Sequence, residues 1–211
     1  MTLQATQLAL SRGNRSLFTG LDFEVQPGEA LRIVGSNGSG KTSLLRVLCG
    51  LSEPQAGTVR WRGQAIRSAR DALHRHLLYI GHAAGLKDDL TACENLQLAS
   101  TLAGRRCSRE QAVRALNQLG LQGRAHLPAR VLSQGQRRRV LLARLAQEPD
   151  EALIVLDEPF NALDQDAVAQ VSGLLVYQLA AGATLVYTSH HALLPQAVNS
   201  RELRLGEAGE R

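Results

Sequence analysis

Apolar and polar positions alternate at the start of the chain, from Leu3 to Leu10 and again from Leu21 to Val25. A third apolar segment, Leu31 to Val34, runs directly into a glycine-rich stretch. Short segments of this kind predict β-strands, and Pro27-Gly28 marks the turn between the last two. Gly57-Thr58-Val59-Arg60-Trp61 repeats the pattern before a turn at Gly63, so an antiparallel portion of sheet is expected near the N-terminus. Gly40 to Cys49 predicts a helix, with Gly50 as its stop. From about Ala92 to Ala146 the period becomes helical, with Leu96, Leu102, Val113, Leu116, Leu119, Val140 and Leu145 at roughly helical intervals. Strand patterning returns at Ala152 to Leu156 and Thr184 to Tyr187, on either side of an apolar helix from about Asp166 to Ala180. That order predicts a parallel, buried sheet.

Composition narrows the class. With 211 residues, 44% hydrophobic and 20% charged, the chain is of a length and make-up that builds a proper core. Aromatics are only 3%, so that core must rest on Leu, Val, Ala and Ile. No run approaches the roughly 20 apolar residues of a membrane span, and Met1 to Ala5 lacks the pattern of a secretory signal, which predicts a protein that stays where it is made. Cys49, Cys93 and Cys107 are odd in number and show no CxxC spacing, which argues against a disulfide framework or a zinc site. The net charge of +5 is almost entirely arginine, Lys41 and Lys87 being the only lysines. No interleaving of aromatic and basic residues suited to base stacking is present, so no nucleic-acid partner is expected.

The chemistry begins at Gly35-Ser36-Asn37-Gly38-Ser39-Gly40-Lys41-Thr42, a GxxxxGK[ST] phosphate loop followed by Ser43, between a predicted strand and a predicted helix. Its glycines let main-chain N–H groups turn inward around an anion, and the helix N-terminus adds partial positive charge. Lys41 is placed to reach the β- and γ-phosphates of ATP, and Thr42 to put its hydroxyl on Mg²⁺. Asp157 ends the buried strand, where its carboxylate can meet the Mg²⁺ through water, and Glu158-Pro159 follow. Ser133-x-x-Gln136 is a capping-box pattern, so a helix should begin there and run to about Ala146, with Gly135 allowing a phosphate close to the backbone. Asp164 has the character of a helix cap. The run Arg137-Arg138-Arg139 is expected to form a solvated helix face.

An LSxGQ-type element, Leu132-Ser133-Gln134-Gly135-Gln136, standing between a phosphate loop and Leu156-Asp157-Glu158-Pro159 resembles the nucleotide-binding subunit of ABC-type ATPases, and the likeness covers nearly the whole chain. The resemblance implies a P-loop NTPase fold of α/β class: a RecA-like mixed sheet core with an N-terminal antiparallel β portion and an inserted helical subdomain. It implies one domain over 1–211, with a catalytic core of about 1–86 and 151–211 and a helical signature subdomain of 87–150. Glu158 then becomes the general base that polarises the attacking water, and His190 the switch histidine that contacts the γ-phosphate, a position it fits better than His191. Asn161-Ala162-Leu163-Asp164 becomes the D-loop at a dimer interface. Leu132 to Gln136 acts on ATP held by the phosphate loop of a second copy, so hydrolysis requires a homodimer.

Several positions depart from the common pattern. Gln134 replaces the usual third-position glycine, a change expected to be tolerated. His82 stands where most relatives carry the glutamine that links Mg²⁺ and water to the membrane subunit. At the usual adenine-stacking position lies Ser11-Arg12-Gly13, which leaves Arg12 or Phe18 to serve. Tyr79-Ile80-Gly81-His82, Gly85-Leu86-Lys87 and Leu90 to Leu96 resemble more narrowly the haem-exporter ATPases of bacterial cytochrome c maturation. That implies integral-membrane partner subunits, a peripheral seat on the cytoplasmic face of the inner membrane, and ATP use coupled to haem export or to release of a haem-loaded chaperone. The ATPase subunit of another ABC exporter, or a non-transport ABC ATPase, would share the same catalytic residues. No direct haem site is evident, since there is no CxxCH and the His74–His76 pair suits an exposed helix turn equally well.

Overall fold

The computed structural model describes residues 2–82, 85–147, 153–190, 194–196 and 198–206. The chain divides into two compact units, Met1–Tyr79 with Asp150–Asp157 and Leu179–Arg211, and Ile80–Pro149 with Glu158–Gln178. The second unit is broader than the 87–150 span that the resemblance implies, because it also takes in Ile80 to Leu86 and the segment from Glu158 to Gln178.

The first unit runs β1 (Leu3–Arg12), β2 (Arg15–Val25), β3 (Ala30–Val34), α1 (Lys41–Leu48), β4 (Ala56–Trp61), β5 (Gln64–Ala65), α2 (Arg70–Arg75), all but the last residue of β6 (Leu77–Ile80), β7 (Leu153–Leu156), β8 (Thr184–Thr188) and β9 (Ser200–Arg204). The antiparallel portion expected near the N-terminus is a sheet of its own, ordered β2-β1-β4-β5. Its hairpin closes through Gly13-Asn14, so β2 begins six residues before the predicted Leu21. The other sheet is ordered β6-β7-β8-β3-β9. Within it β8 runs parallel to both β7 and β3, and β3 runs parallel to β9. All residues of β7 and β8 are buried, the signature of strands covered on both faces. The core is aliphatic, built from Leu3, Leu8, Ile33, Leu44, Leu45, Leu48, Val155 and Val186 among others, as the scarcity of aromatics requires. Burial pushes the Cys49 thiol up, leaving it a neutral packing group.

The second unit holds α3 (Ala92–Leu102), α4 (Arg109–Gln118), α5 (Gln134–Leu142) and most of α6 (Gln165–Ala180), with 3₁₀ turns at Ala129–Val131 and Ala143–Ala146. Three of these helices start on capping boxes, Thr91 with Glu94, Ser108 with Gln111 and Ser133 with Gln136. Leu96, Leu116, Leu119, Val140 and Leu145 are buried as their spacing predicted. Leu102 is not: it lies in the last turn of α3 and is 79% exposed, outside the stripe that faces the core. Asn95 is buried and knots the preceding loop, donating to the carbonyls of Lys87, Leu90 and Thr91 while its Oδ1 accepts from Lys87 N–H.

Candidate active site

The phosphate loop leaves β3 at Val34 and delivers α1 at Lys41. Gly35 sits at φ 153°, and a Cβ there would come within 2.5 Å of Leu205 O and 2.6 Å of Ser39 Oγ. Both the backbone angle and the close approach therefore demand glycine. Gly40 caps α1 at φ 99° with no side-chain bond, so the first N–H groups of the helix keep their capacity for an anion. Lys41 Nζ bridges the loop mouth, donating to Gly35 O at 2.8 Å and Ser36 O at 3.1 Å.

Thr42 Oγ1 donates to Asp157 Oδ2 at 2.8 Å, across 115 residues of sequence. The parallel pairing of β7 with β8 sets Leu156 opposite Tyr187, which carries the next residues, Asp157 and Thr188, side by side. Thr188 Oγ1 donates to Asp157 Oδ1 at 2.8 Å. Asp157 is 2% exposed, and a carboxylate so buried is tolerable because both its oxygens accept hydrogen bonds. This pairing of hydroxyl and carboxylate beside a phosphate loop has the hard oxygen donors that fit Mg²⁺. His190 is exposed and lines a concavity with Gly35, Ser36, Arg32 and Arg204. His191 lies outside the described residues. Phe18 is in the core, 5% exposed, with its ring against Gly40, which rules it out as a stacking surface; Arg12 is exposed. His74 is half-buried on α2 with Nε2 2.9 Å from Cys49 O, a bond that ties it to the end of α1.

The second unit carries the remaining candidates. Glu158, half-buried, has φ 49°, and Ala162 has φ 63°, both in the left-handed region that non-glycine residues seldom occupy. Ser133 Oγ accepts from Gln136 N–H at 3.2 Å and Gln136 Oε1 accepts from Ser133 N–H at 3.0 Å, starting α5 as the sequence predicts. Leu132 is buried beneath this turn, whereas Ser133 and Gln134 are exposed. A Cβ at Gly135 would lie 2.6 Å from Ala162 O, so the start of α5 and the backbone of the 161–164 segment touch. Asn161 and Leu163 N–H bond back to Glu158 O and Phe160 O.

The arginine run is not a solvated face. Arg137 donates to Ala129 O and pairs with Asp88, Arg139 pairs with Asp164, and Arg138 is buried against main-chain carbonyls. Adjacent residues on a helix point about 100° apart, so three consecutive arginines reach three different neighbours. Neither contact, that of Arg138 with the carbonyls nor that of Thr188 with Asp157, is legible in the local sequence. The place of Thr188 beside Asp157 follows from strand pairing, and Arg138 offered no local signal. His82 follows β6 on an exposed bend.

Asp164 caps α6, accepting from Ala167 N–H at 2.9 Å. That bond first, then Arg139, holds its carboxyl below the usual carboxylate range. A lowered native value means the contribution is complete above the unfolded value, about 3.9, and is lost as pH falls through the native one. Asp164→Asn keeps the cap and removes the charge, so denaturant midpoints measured between neutral pH and pH 3 should fall less steeply for the variant than for wild type.

The phosphate loop, the buried aspartate and the capped signature helix define an ATP-binding cassette, and the chain belongs to the ABC transporter family, whose model matches residues 18–161. Its relatives carry a more particular name. The chain is 51% identical over 205 residues to the cytochrome c biogenesis ATP-binding export protein CcmA of Aromatoleum aromaticum, covering 97% of this chain and 95% of that one. The protein of the same name from Vibrio vulnificus is 39% identical, with 97% and 100% covered. Among solved structures, an ATP-binding subunit of an ABC transporter superposes with a TM-score of 0.78 at 26% identity, covering 90% of this chain and 80% of that one. A dimeric bacterial ABC transporter cassette superposes with 0.80 at 24%, covering 96% and 94%.

Proposed function

We propose that this chain is the ATP-hydrolysing subunit of a membrane ABC complex for cytochrome c maturation, using ATP to drive haem export or the release of a haem-loaded chaperone. The ATPase reading rests on the contact of Thr42 with Asp157 at the foot of the phosphate loop. The pathway reading rests on 51% identity to a cytochrome c biogenesis export protein across almost the whole chain.

Main-chain N–H groups from Gly35 to Ser43 and the start of α1 bind the phosphates, and Lys41 turns from the Gly35 and Ser36 carbonyls to the β- and γ-phosphate oxygens. Thr42 would hold Mg²⁺ through its hydroxyl and Asp157 through a water, and the ion would supply positive charge against that of the phosphates. Thr188 keeps Asp157 from rotating. Glu158 accepts a proton from the attacking water, and His190 faces the γ-phosphate from the loop side. The signature, Leu132 to Gln136, offers the N-terminus of α5 to ATP on a second copy, with Asn161 to Asp164 at the same interface. The whole chain acts as one cassette in which Ile80–Pro149 and Glu158–Gln178 form the signature-bearing helical part.

Among the described residues no helix is long and apolar enough to cross a membrane. In this reading integral-membrane subunits supply the path, and the cassette docks on them at the cytoplasmic face of the bacterial inner membrane, with His82 at the coupling position. A strain deleted for this chain should lose holocytochrome c, regain it with the wild-type chain and fail to regain it with Glu158→Gln. Normal holocytochrome in the deletion strain would reject the pathway, whereas phosphate release by the purified chain tests the ATPase separately.

A further inference from the structure

Arg138 is a charged residue 8% exposed, in the second turn of the signature helix α5. Its Nη1 donates to Gly81 O at 2.8 Å, its Nη2 to Glu158 O at 3.0 Å and its Nε to Pro159 O at 3.3 Å. A cation withdrawn from water is tolerated only where its donors are taken up, and here three separate nitrogens meet main-chain carbonyls of two distant segments. The choice of carbonyls is specific. One belongs to Glu158 itself, whose φ of 49° is a strained value that persists only if its surroundings enforce it. Another belongs to Gly81, directly before His82.

We propose that Arg138 is a positioning residue for hydrolysis: its guanidinium sets the Glu158 peptide and ties it, through Gly81, to the turn bearing His82. It does so from the helix whose first turn is the signature. Five residues along a helix span about 7.5 Å, so Ser133 and Arg138 belong to one rigid rod. Movement of the signature on engaging ATP is passed to the Glu158 backbone and to His82 in the same chain. Lysine cannot replace this function, because a point charge on a flexible stem cannot address three carbonyls in fixed directions.

The proposal rests on Glu158 being the general base, and the test separates the two. Arg138→Lys, Arg138→Ala and Glu158→Gln are made in the full chain, and kcat, KM for ATP, affinity for a fluorescent ATP analogue and melting temperature are measured. Arg138→Lys and Arg138→Ala should lose about 10- to 100-fold in kcat, the scale of a small misplacement of a reacting group. Analogue affinity should change less than about twofold, since the phosphate loop is untouched. Methylguanidinium added to Arg138→Ala should restore part of the lost kcat. Wild-type kcat in Arg138→Lys overturns the proposal, as does a kcat loss matched by loss of nucleotide affinity. Failure of both variants to fold also overturns it, making Arg138 a folding residue. Turnover retained by Glu158→Gln defeats the general-base reading, while a dead Glu158→Gln beside a fully active Arg138→Lys defeats only the role given to Arg138.

Discussion

Replacing Glu158 with glutamine is expected to lower ATP turnover by about 10²- to 10⁴-fold, the usual worth of a positioned general base, while ATP still binds. Glutamine has the same shape and can hydrogen-bond to the same water, but it cannot take the proton. The residues proposed to hold the nucleotide are untouched: Lys41 at the loop mouth, and Asp157 pinned between Thr42 and Thr188. The carbonyl that Arg138 holds belongs to the main chain and survives the substitution. Phosphate release measured beside binding of a fluorescent ATP analogue separates the two effects. Because ATP is bound but not consumed, the variant should also elute as a dimer in the presence of ATP. Hydrolysis at the wild-type rate would sink the assignment.

The second large effect tests the proposed sharing of each site between two copies. Ser133→Asp retains a good N-cap, since aspartate accepts from the N-terminal N–H groups as serine does. In the proposed shared site it also places a negative charge where the γ-phosphate held by a second copy would approach, so the fold should persist while turnover falls by two orders of magnitude or so, as on loss of a preorganised donor. Lys41→Ala should be comparably inactive, for want of the ammonium that reaches the phosphates. Mixed together, the two inactive proteins should recover about a quarter of wild-type turnover: half of randomly paired dimers are mixed, and each mixed dimer holds one intact site of two. An inactive mixture that nonetheless forms mixed dimers would refute a shared site whose halves work independently.

What was legible in the sequence was what is local. The phosphate loop is contiguous, so glycine spacing, Lys41 and Thr42 announce it without reference to anything distant. The capping box at Ser133 is written within four residues, and the buried strand before Asp157 within five. Elements without a local pattern were missed. β9, Ser-Arg-Glu-Leu-Arg, lies at the edge of its sheet and is mostly exposed, so no apolar alternation marks it. The helix α2 and strand β6 are only six and four residues long, too short for a period to show.

By itself, then, the sequence determined the chemistry on offer: a phosphate loop, an acidic pair after an apolar strand, a capped signature helix and an aliphatic core. Each depends on residues close together in the chain, whose spacing carries its own physical meaning. Only the tertiary structure decided how the parts are held. Thr188 meets Asp157 because two parallel strands share a register, and at Gly135 Ala162 O comes within 2.6 Å of where a Cβ would stand. Three arginines that read as one solvated face have three different partners. Burial and hydrogen-bond partnership are set by packing between segments far apart in sequence, and a run of like charges has the same spelling whether it faces water or clasps a backbone.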